Sequence, residues 1–296
     1  MATETILSRR NFPQILMPEN ALLPQTVDVV IAVWLFVLGA VVGSFLNVVV
    51  YRVPLGKSLV RPPSHCPNCK HPIRWFDNLP IFGWIALGGR CRDCGEKFSV
   101  RYPLVEFSTA VLFLMLGVVE CVFGGLNLPG RETLGMWQPF GIYAYHILLM
   151  CTLLSAALIQ YDGRRVPSKL FVPTIAVGVV AGIVWPWLRP VHAFDGLGTI
   201  EAGIVDALAG LLVALPSGWV ILKLLGKKAA GGLMPTLACV GLFLGWQAAL
   251  ALALVTLLLS LPVRAAGWKV PGTLAIMTLA TACWLMGWAS LAGLVE

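Results

Sequence analysis

The feature that most limits what this chain can become is the recurrence of apolar runs about as long as a bilayer is thick. A helix crossing the hydrocarbon core needs about 20 apolar residues. Candidate runs occur at 28–50, 103–124, 141–161, 170–188, 203–223, 237–246, 247–263 and 271–292. Only 12% of the 296 residues are charged, against about 25% in a soluble domain. The runs therefore predict an all-α polytopic membrane protein with about eight transmembrane helices. The first run, Val27 to Val50, is too long for the h-region of a cleaved signal and lacks a small-residue cleavage site. The sixth is too short to span upright. Its break at Gly245-Trp246 points to a half-helix or a tight hairpin lining a cavity.

One large polar segment, 51–102, separates the first two runs. If it faces the cytoplasm and the chain alternates sides, the inside loops hold 17 of the 21 basic residues. The outside holds four: Arg9, Arg10, Arg131 and Arg189. This bias predicts eight passes with both termini outside. Joining the sixth and seventh runs into one helix would flip the last. The net charge of +7 could serve a nucleic acid. In so apolar a chain, basic loops that set topology account for it, and the expected partner is the bilayer.

The polar segment contains Cys66-Pro-Asn-Cys69 and Cys91-Arg-Asp-Cys94, with 21 residues between the pairs. Each C-x-x-C chelates from one knuckle turn, and two knuckles supply four thiolates in a tetrahedron, the geometry of a structural Zn²⁺ site. About 50 residues are too few for a large core, so a metal would help the segment fold. Two disulfides are the alternative, disfavoured if the cytoplasm is reducing. His65 and His71 could also ligate, though four thiolates make them unnecessary. Between the knuckles lie Trp75, Phe76, Phe82 and Trp84. They form either a small core around the metal or a surface for membrane or substrate. Cys121, Cys151, Cys239 and Cys283 lie in apolar helices and read as packing residues. Neither His146, on an apolar helix, nor His192, in an outer loop, is given a role.

"LIQYDGRRVPSKL" (158–170) ends a long apolar run with one acid, Asp162. An acid at a membrane edge is costly unless it is paired, solvated or catalytic. Catalysis by paired carboxylates would require a partner. No Asp or Glu occurs in 224–236, the next inside loop. Asp162 is therefore expected to pair with Arg164 or Arg165.

Several stretches resemble the bacterial type IV prepilin leader peptidase / N-methyltransferase family. "GAVVGSFLNVVVYRVP" (39–54) closes the first helix, and "CPNCKHPIRWFDNLPIFGWIALGGRCRDCGEKFSVRYPLVEFSTAVLF" (66–113) is similar to the family's cysteine domain. "YDGRRVPSKL" and "GLFLGW" (241–246) resemble the surroundings of its two catalytic motifs. The resemblance implies an intramembrane aspartic protease of the bacterial inner membrane, serving type IV pili or type II secretion. Such an enzyme cuts the leader from prepilins or pseudopilins at the cytoplasmic face. It then methylates the new N-terminus with S-adenosylmethionine. Of the two aspartates implied, one stands seven residues before a proline and the other ends a Gly-rich turn.

Here the position seven before Pro167 is Gln160, and the residue after Gly231-Gly232 is Leu233. Both positions of the dyad are thus replaced, leaving Asp162 and Glu106 as residual acids. Peptidase activity is expected to be lost. Gly43, Asn47, Arg52 and Glu106 stand where the family's motifs place them, which implies a retained S-adenosylmethionine or substrate site. The bland reading is that Gly43 and Asn47 pack helices and that Arg52 anchors topology. Two functions stay open. One is an enzyme of this family reduced to methyl transfer; the other is a non-catalytic scaffold binding pilin-like helices or assembly partners.

The expected organisation is an extracytoplasmic segment (1–27), a first helix (28–50), a zinc-ribbon-like cytoplasmic domain (51–102) and a transmembrane peptidase-like domain (103–296). A reporter active only outside the cytoplasm should be active when fused near Arg131 and silent when fused near Gly88. The reverse pattern would reject the orientation drawn from the basic residues.

Overall fold

The computed structural model describes residues 26–121, 137–189, 199–226, 231–265 and 272–292. Arg9, Arg10, Arg131 and His192, named above, lie outside the described residues, as do Lys227, Lys228 and Lys269 among the basic residues assigned to inside loops. The chain is helical: α1 (Thr26–Arg52), the short α2 (Phe82–Ala86), α3 (Arg101–Glu120), α4 (Gln138–Tyr161), α5 (Val172–Val184), α6 (Thr199–Leu225), α7 (Leu233–Leu244), α8 (Trp246–Ala265) and α9 (Thr273–Ala292). Of the eight spans expected, α1, α3, α4 and α6 are long and apolar enough to cross a membrane. In α5, α7, α8 and α9 the apolar stretches are shorter.

Close pairing of α1 and α3 depends on two glycines one turn apart. A Cβ on Gly39 would lie 2.7 Å from Ala110 Cα, and one on Gly43 would lie 2.7 Å from Glu106 Cα. Small residues let membrane helices approach backbone to backbone, and Gly39 and Gly43 do so here against α3. A second such crossing joins α6 to α7, where a Cβ on Gly210 would lie 2.1 Å from the Gly241 carbonyl oxygen. Thr152 and Thr174 link α4 to α5 through their hydroxyls at 2.6 Å.

Expected to be a marginal half-helix over 237–246, α7 is instead the centre of the bundle. It runs Leu233–Leu244, and ten of its residues are buried. A helix that is apolar all round has no preferred face and belongs inside. It starts four residues earlier than the hydropathy suggested because Gly232, at φ 87°, turns the chain into it. Pro235 falls in the first turn, where a missing N–H costs no hydrogen bond. Gly245, at φ 87° and ψ 176°, ends it in a conformation that essentially only glycine adopts, and α8 starts at once.

An abrupt end inside the bundle leaves backbone carbonyls that must find donors. Arg189, counted above as an outer-loop charge, is buried here. It donates from Nε to Leu242 O (2.9 Å) and from Nη1 to Gly182 O (2.8 Å) and Gly203 O (3.0 Å). Asp206 lies 4.0 Å from the guanidinium, and the Tyr145 hydroxyl donates a second bond to Leu242 O at 3.2 Å. One cation thereby ties α5, α6 and the C-terminus of α7 together. Its position reflects unmet backbone acceptors rather than topology.

Candidate functional site

In the cysteine segment the two C-x-x-C pairs fold into matching knuckles. The Cys66 N–H donates to His71 O (3.0 Å) and the Lys70 N–H to Cys66 O (3.1 Å). In the second knuckle, Cys91 N–H donates to Glu96 O (2.8 Å) and Gly95 N–H to Cys91 O (2.9 Å). At the same step of each turn the backbone goes left-handed, at Lys70 (φ 61°) and Gly95 (φ 74°). Single bridges, His65 to Pro72 and Arg90 to Lys97, close the two knuckles.

All four sulfurs lie within 4.8 Å of one another, and none is in a disulfide. The set could hold a metal ion. Neither His65 nor His71 is part of it. The Glu96 backbone N–H holds the Cys94 thiol down to about 7. The His71 amide pulls Cys69 the same way, but burial and the neighbouring thiols push that thiol up to about 12. Four thiols crowded this way share protons that a divalent cation would displace.

Salt links brace the segment. Arg92 grips Asp77 with two bonds of 2.9 and 2.6 Å, which hold the Asp77 carboxyl below the usual carboxylate range. Arg74 reaches Asp93 at 3.4 Å. The intervening aromatics divide. Trp84 is tucked against Gly89 and donates to Phe98 O at 3.2 Å, whereas Trp75, Phe76 and Phe82 are exposed. Of the four, Trp84 alone packs inward as the small-core reading expected.

Two residues with proposed cofactor roles are occupied by the backbone. Arg52 is buried and donates to the carbonyls of Ser58 (3.0 Å), Leu59 (3.2 Å) and Pro62 (2.7 Å), folding the loop after α1 around its guanidinium. Glu106 is buried and accepts the Ile81 N–H at 2.7 Å, with Ser44 of α1 as a further donor. It thereby fastens the start of α2 to both α1 and α3.

The polar cleft lies elsewhere, between the end of α1, the start of α3 and the loop after α4. It encloses about 340 Å³ and is lined by Asn47, Val50, Tyr51, Arg101, Tyr102, Asp162 and Arg164. Asp162 pairs with Arg101 at 3.1 Å, rather than with the expected Arg164 or Arg165. Arg164 turns away to lie over the Tyr51 ring, 5.4 Å from its centre, and donates to Tyr51 O at 3.3 Å. Asn47 donates to Tyr102 O at 3.2 Å, fixing the first turn of α3. Nε and Nη2 of Arg101 are buried without a hydrogen-bond partner, which leaves donors for a ligand's anionic group. One carboxylate and two guanidiniums in one cleft suit a molecule carrying both a cationic and an anionic end. Of these residues, sequence reasoning placed Asn47 and Asp162. Arg164 entered as a possible partner of Asp162 and Arg101 only as one of the inside basic residues, although the proximity of Arg101 to Glu106 in the same motif was a usable signal.

Gln160 and Leu233 converge on a different point. Gln160 Oε1 accepts the Leu274 N–H at 3.0 Å and its Nε2 donates to Gly231 O at 3.3 Å. The side chain staples the end of α4 to the turn before α7 and to the first turn of α9. Leu233 is fully buried, and the neighbouring Gly232 sits against Val166. The turn carrying Leu233 thus meets both Gln160 and the loop after it. Around the two positions there is an amide already engaged on both sides and an alkyl group.

A pair outside every sequence expectation lies deeper. His146 Nδ1 and Glu120 Oε1 are 2.5 Å apart, with both side chains buried between α3 and α4. Periodicity assigns no partner to a lone histidine on an apolar helix, so nothing in the sequence pointed to this contact.

The sequence profile described as "Bacterial Peptidase A24 N-terminal domain" matches residues 37–119. A prepilin leader peptidase/N-methyltransferase of Myxococcus xanthus is 38% identical over 231 residues, covering 75% of this chain and 59% of that protein. That of Klebsiella pneumoniae is 35% identical over 243 residues, covering 78% of this chain and 95% of the relative. That of Dickeya chrysanthemi is 33% identical over 258 residues, covering 77% and 81%. No solved structure matches the chain.

Replacing Gln160 by leucine would leave the Gly231 carbonyl and the Leu274 amide without this partner. An unsatisfied buried polar group costs about 1–3 kcal/mol. Gln160→Leu should therefore lower the melting temperature of the detergent-solubilised protein clearly, whereas Arg165→Ala, at an exposed position, should not. Equal melting of the two variants would show that the staple carries no stability.

Proposed function

Because the chain belongs to the prepilin leader peptidase/N-methyltransferase family, we propose that it has lost aspartic proteolysis and keeps the methyl-transfer activity. Its substrates would be the N-termini of pilin-like or pseudopilin-like chains, met at the cytoplasmic face of a bacterial inner membrane. Residues 51–102 would form the cytoplasmic domain and 103–296 the membrane-embedded remainder of the fold.

The observation that carries the loss of proteolysis is the chemistry at Gln160 and Leu233. An aspartic protease shares one proton between two close carboxylates, one acting as base towards water and the other as acid towards the carbonyl. A glutamine already bonded to Gly231 O and Leu274 N takes no proton at neutral pH, and leucine offers no polar atom. Asp162 is committed to Arg101. Glu106 is committed to Ile81 and does not line the cleft. Among the described residues, no second carboxylate lines the cleft to rebuild the dyad with Asp162.

The cleft between α1, α3 and the loop after α4 supports the retained activity. S-adenosylmethionine, the cofactor that family membership implies, supplies an electrophilic methyl group when bound. The lining residues fit its charged ends: Arg101, Arg164 and Asn47 offer donors for a carboxylate, and Asp162 offers an acceptor for an ammonium. Asp162 would also orient the substrate's terminal amine, beside the Arg101 guanidinium it already pairs with. In the cysteine segment the four thiolates would hold Zn²⁺, which prefers four sulfurs in a tetrahedron at about 2.3 Å. The metal would supply the rigidity that so small a segment lacks.

Two measurements test these readings. Purified protein should contain about one equivalent of zinc by elemental analysis, matching one four-sulfur site, and Cys91→Ser should lose it. Metal-free protein with a folded cysteine segment would reject the site. Incubation with a pilin-like precursor and with its pre-cleaved form, each with S-adenosylmethionine, should give a single-methyl mass gain on the pre-cleaved N-terminus and no leader removal. Asp162→Asn should slow the methylation, and Gln160→Asp with Leu233→Asp should restore some cleavage. Leader removal by the unmodified protein, abolished by Asp162→Asn or Glu106→Gln, would overturn the proposal. Absence of both products would favour a non-catalytic scaffold for pilin-like helices.

A further inference from the structure

Between the knuckles, the cysteine segment presents an apolar surface that the thiol cluster does not use. Trp75 is 79% exposed, Phe82 71% and Ile85 61%, with Leu79 also outward. Exposed patches of large apolar side chains mark interaction surfaces. We propose that this surface is immersed in the lipid leaflet entered by α1 and α3, so that α2 and its flanking turns form an interfacial membrane anchor. The partner is the acyl-chain region of the bilayer.

Depth is the first argument. The start of α2 is fixed by the Ile81 N–H bonded to Glu106 at 2.7 Å, and Glu106 is also bonded by Ser44. Glu106 stands five residues inside α3 from Arg101, and Ser44 stands eight residues inside α1 from Arg52. At 1.5 Å per residue these are about 7 and 12 Å along the two helices. Arg52 and Arg101 end the apolar stretches and so sit near the polar boundary. The start of α2 is therefore held beside the spanning helices at a level below their charged ends, where the surroundings are lipid.

Continuity is the second argument. Next to Ser44 is Phe45, 51% exposed, and next to Glu106 is Phe107, 50% exposed. These rings belong to the outward apolar surface of α1 and α3 at the level where α2 begins. The exposed Phe82 and Ile85 extend that surface. Polar groups lie towards the knuckles instead: Arg92 holds Asp77 and also lies 5.6 Å above the Phe76 ring. Aromatic rings with a charged rim are the usual composition of a membrane interface.

Backbone geometry is the third argument. Ile81 is a β-branched residue at φ 65° and ψ −56°, the centre of a tight γ-turn closed by the Phe82 N–H on Pro80 O at 2.6 Å, a rare and strained geometry. It persists because the Glu106 carboxylate accepts its N–H. Close by, a Cβ on Gly83 would come within 2.2 Å of Asp77 O, so the turn is folded back tightly on itself. The strained turn presents Phe82 outward rather than over the cysteines.

Site-specific photocrosslinking tests the proposal. A photoreactive phenylalanine analogue replaces Phe82, Trp75, Phe45 or Lys97 in turn, in protein reconstituted in phosphatidylethanolamine–phosphatidylglycerol vesicles. The melting temperature verifies that each variant is folded. Lipid adducts, read by mass spectrometry, are expected at positions 82 and 75 in yields several-fold above position 97 and comparable to position 45. Yields at 82 and 75 no higher than at 97 would overturn the anchor. Adducts there to a second copy of the chain, or to an added pilin-like peptide, in place of lipid would overturn it as well. The readout does not depend on methyl transfer, so the two proposals fail separately.

Discussion

Inside an apolar bundle, every backbone N–H and C=O needs a partner, because no water is at hand to supply one. The arrangement of this protein follows from how that demand is met where helices stop. Four polar side chains carry it. Arg189 caps the abrupt end of α7 and holds the facing turns of α5 and α6. Gln160 joins the turn before α7 to the start of α9. Arg52 gathers three carbonyls of the loop leaving α1. Glu106 accepts the amide at the strained start of α2. Each is charged or amidic, and each occupies a position that a motif or a charge count would assign to catalysis, cofactor binding or topology.

That shared duty extends to the two positions where the family's aspartates were expected. At Gln160 a neutral amide bonds both neighbouring elements, and at Leu233 a buried alkyl group fills the space of α7's first turn. The two side chains suit each other physically. An isolated buried carboxylate without its partner would be costly, whereas a bonded amide beside a packed leucine is not. The membrane bundle can thus remain well packed with no acid at either position, while the polar cleft around Arg101 and Asp162 lies apart from both.

The cysteine segment follows a different logic. Its knuckles repeat the same backbone turn, and its chain is too short to build a core from side chains alone. Cohesion comes from the four clustered thiols, the Asp77–Arg92 clasp and the tie to Glu106. With so little interior to fill, the aromatic residues between the knuckles are left outside, apart from Trp84. A small segment fastened to two spanning helices can expose such side chains because lipid, rather than water, is its neighbour.

Much was legible from the sequence, for an identifiable reason. Spanning runs, the two C-x-x-C pairs and the family motifs are local patterns, encoded in composition and spacing within a short window. They pointed to an all-helical membrane protein with a four-thiol cluster, and to a family whose relatives match along most of the chain. The central place of α7 was not legible, because a short apolar run reads as marginal when its surroundings are unknown. Nor were the pairings of Asp162 with Arg101, Gln160 with Leu274, or Glu120 with His146. Each joins residues on different helices, and whether they meet depends on how those helices are rotated and how deeply they are set. The 3.6-residue period tells which residues share one helix face. It carries no information about the face opposite, which packing alone decided.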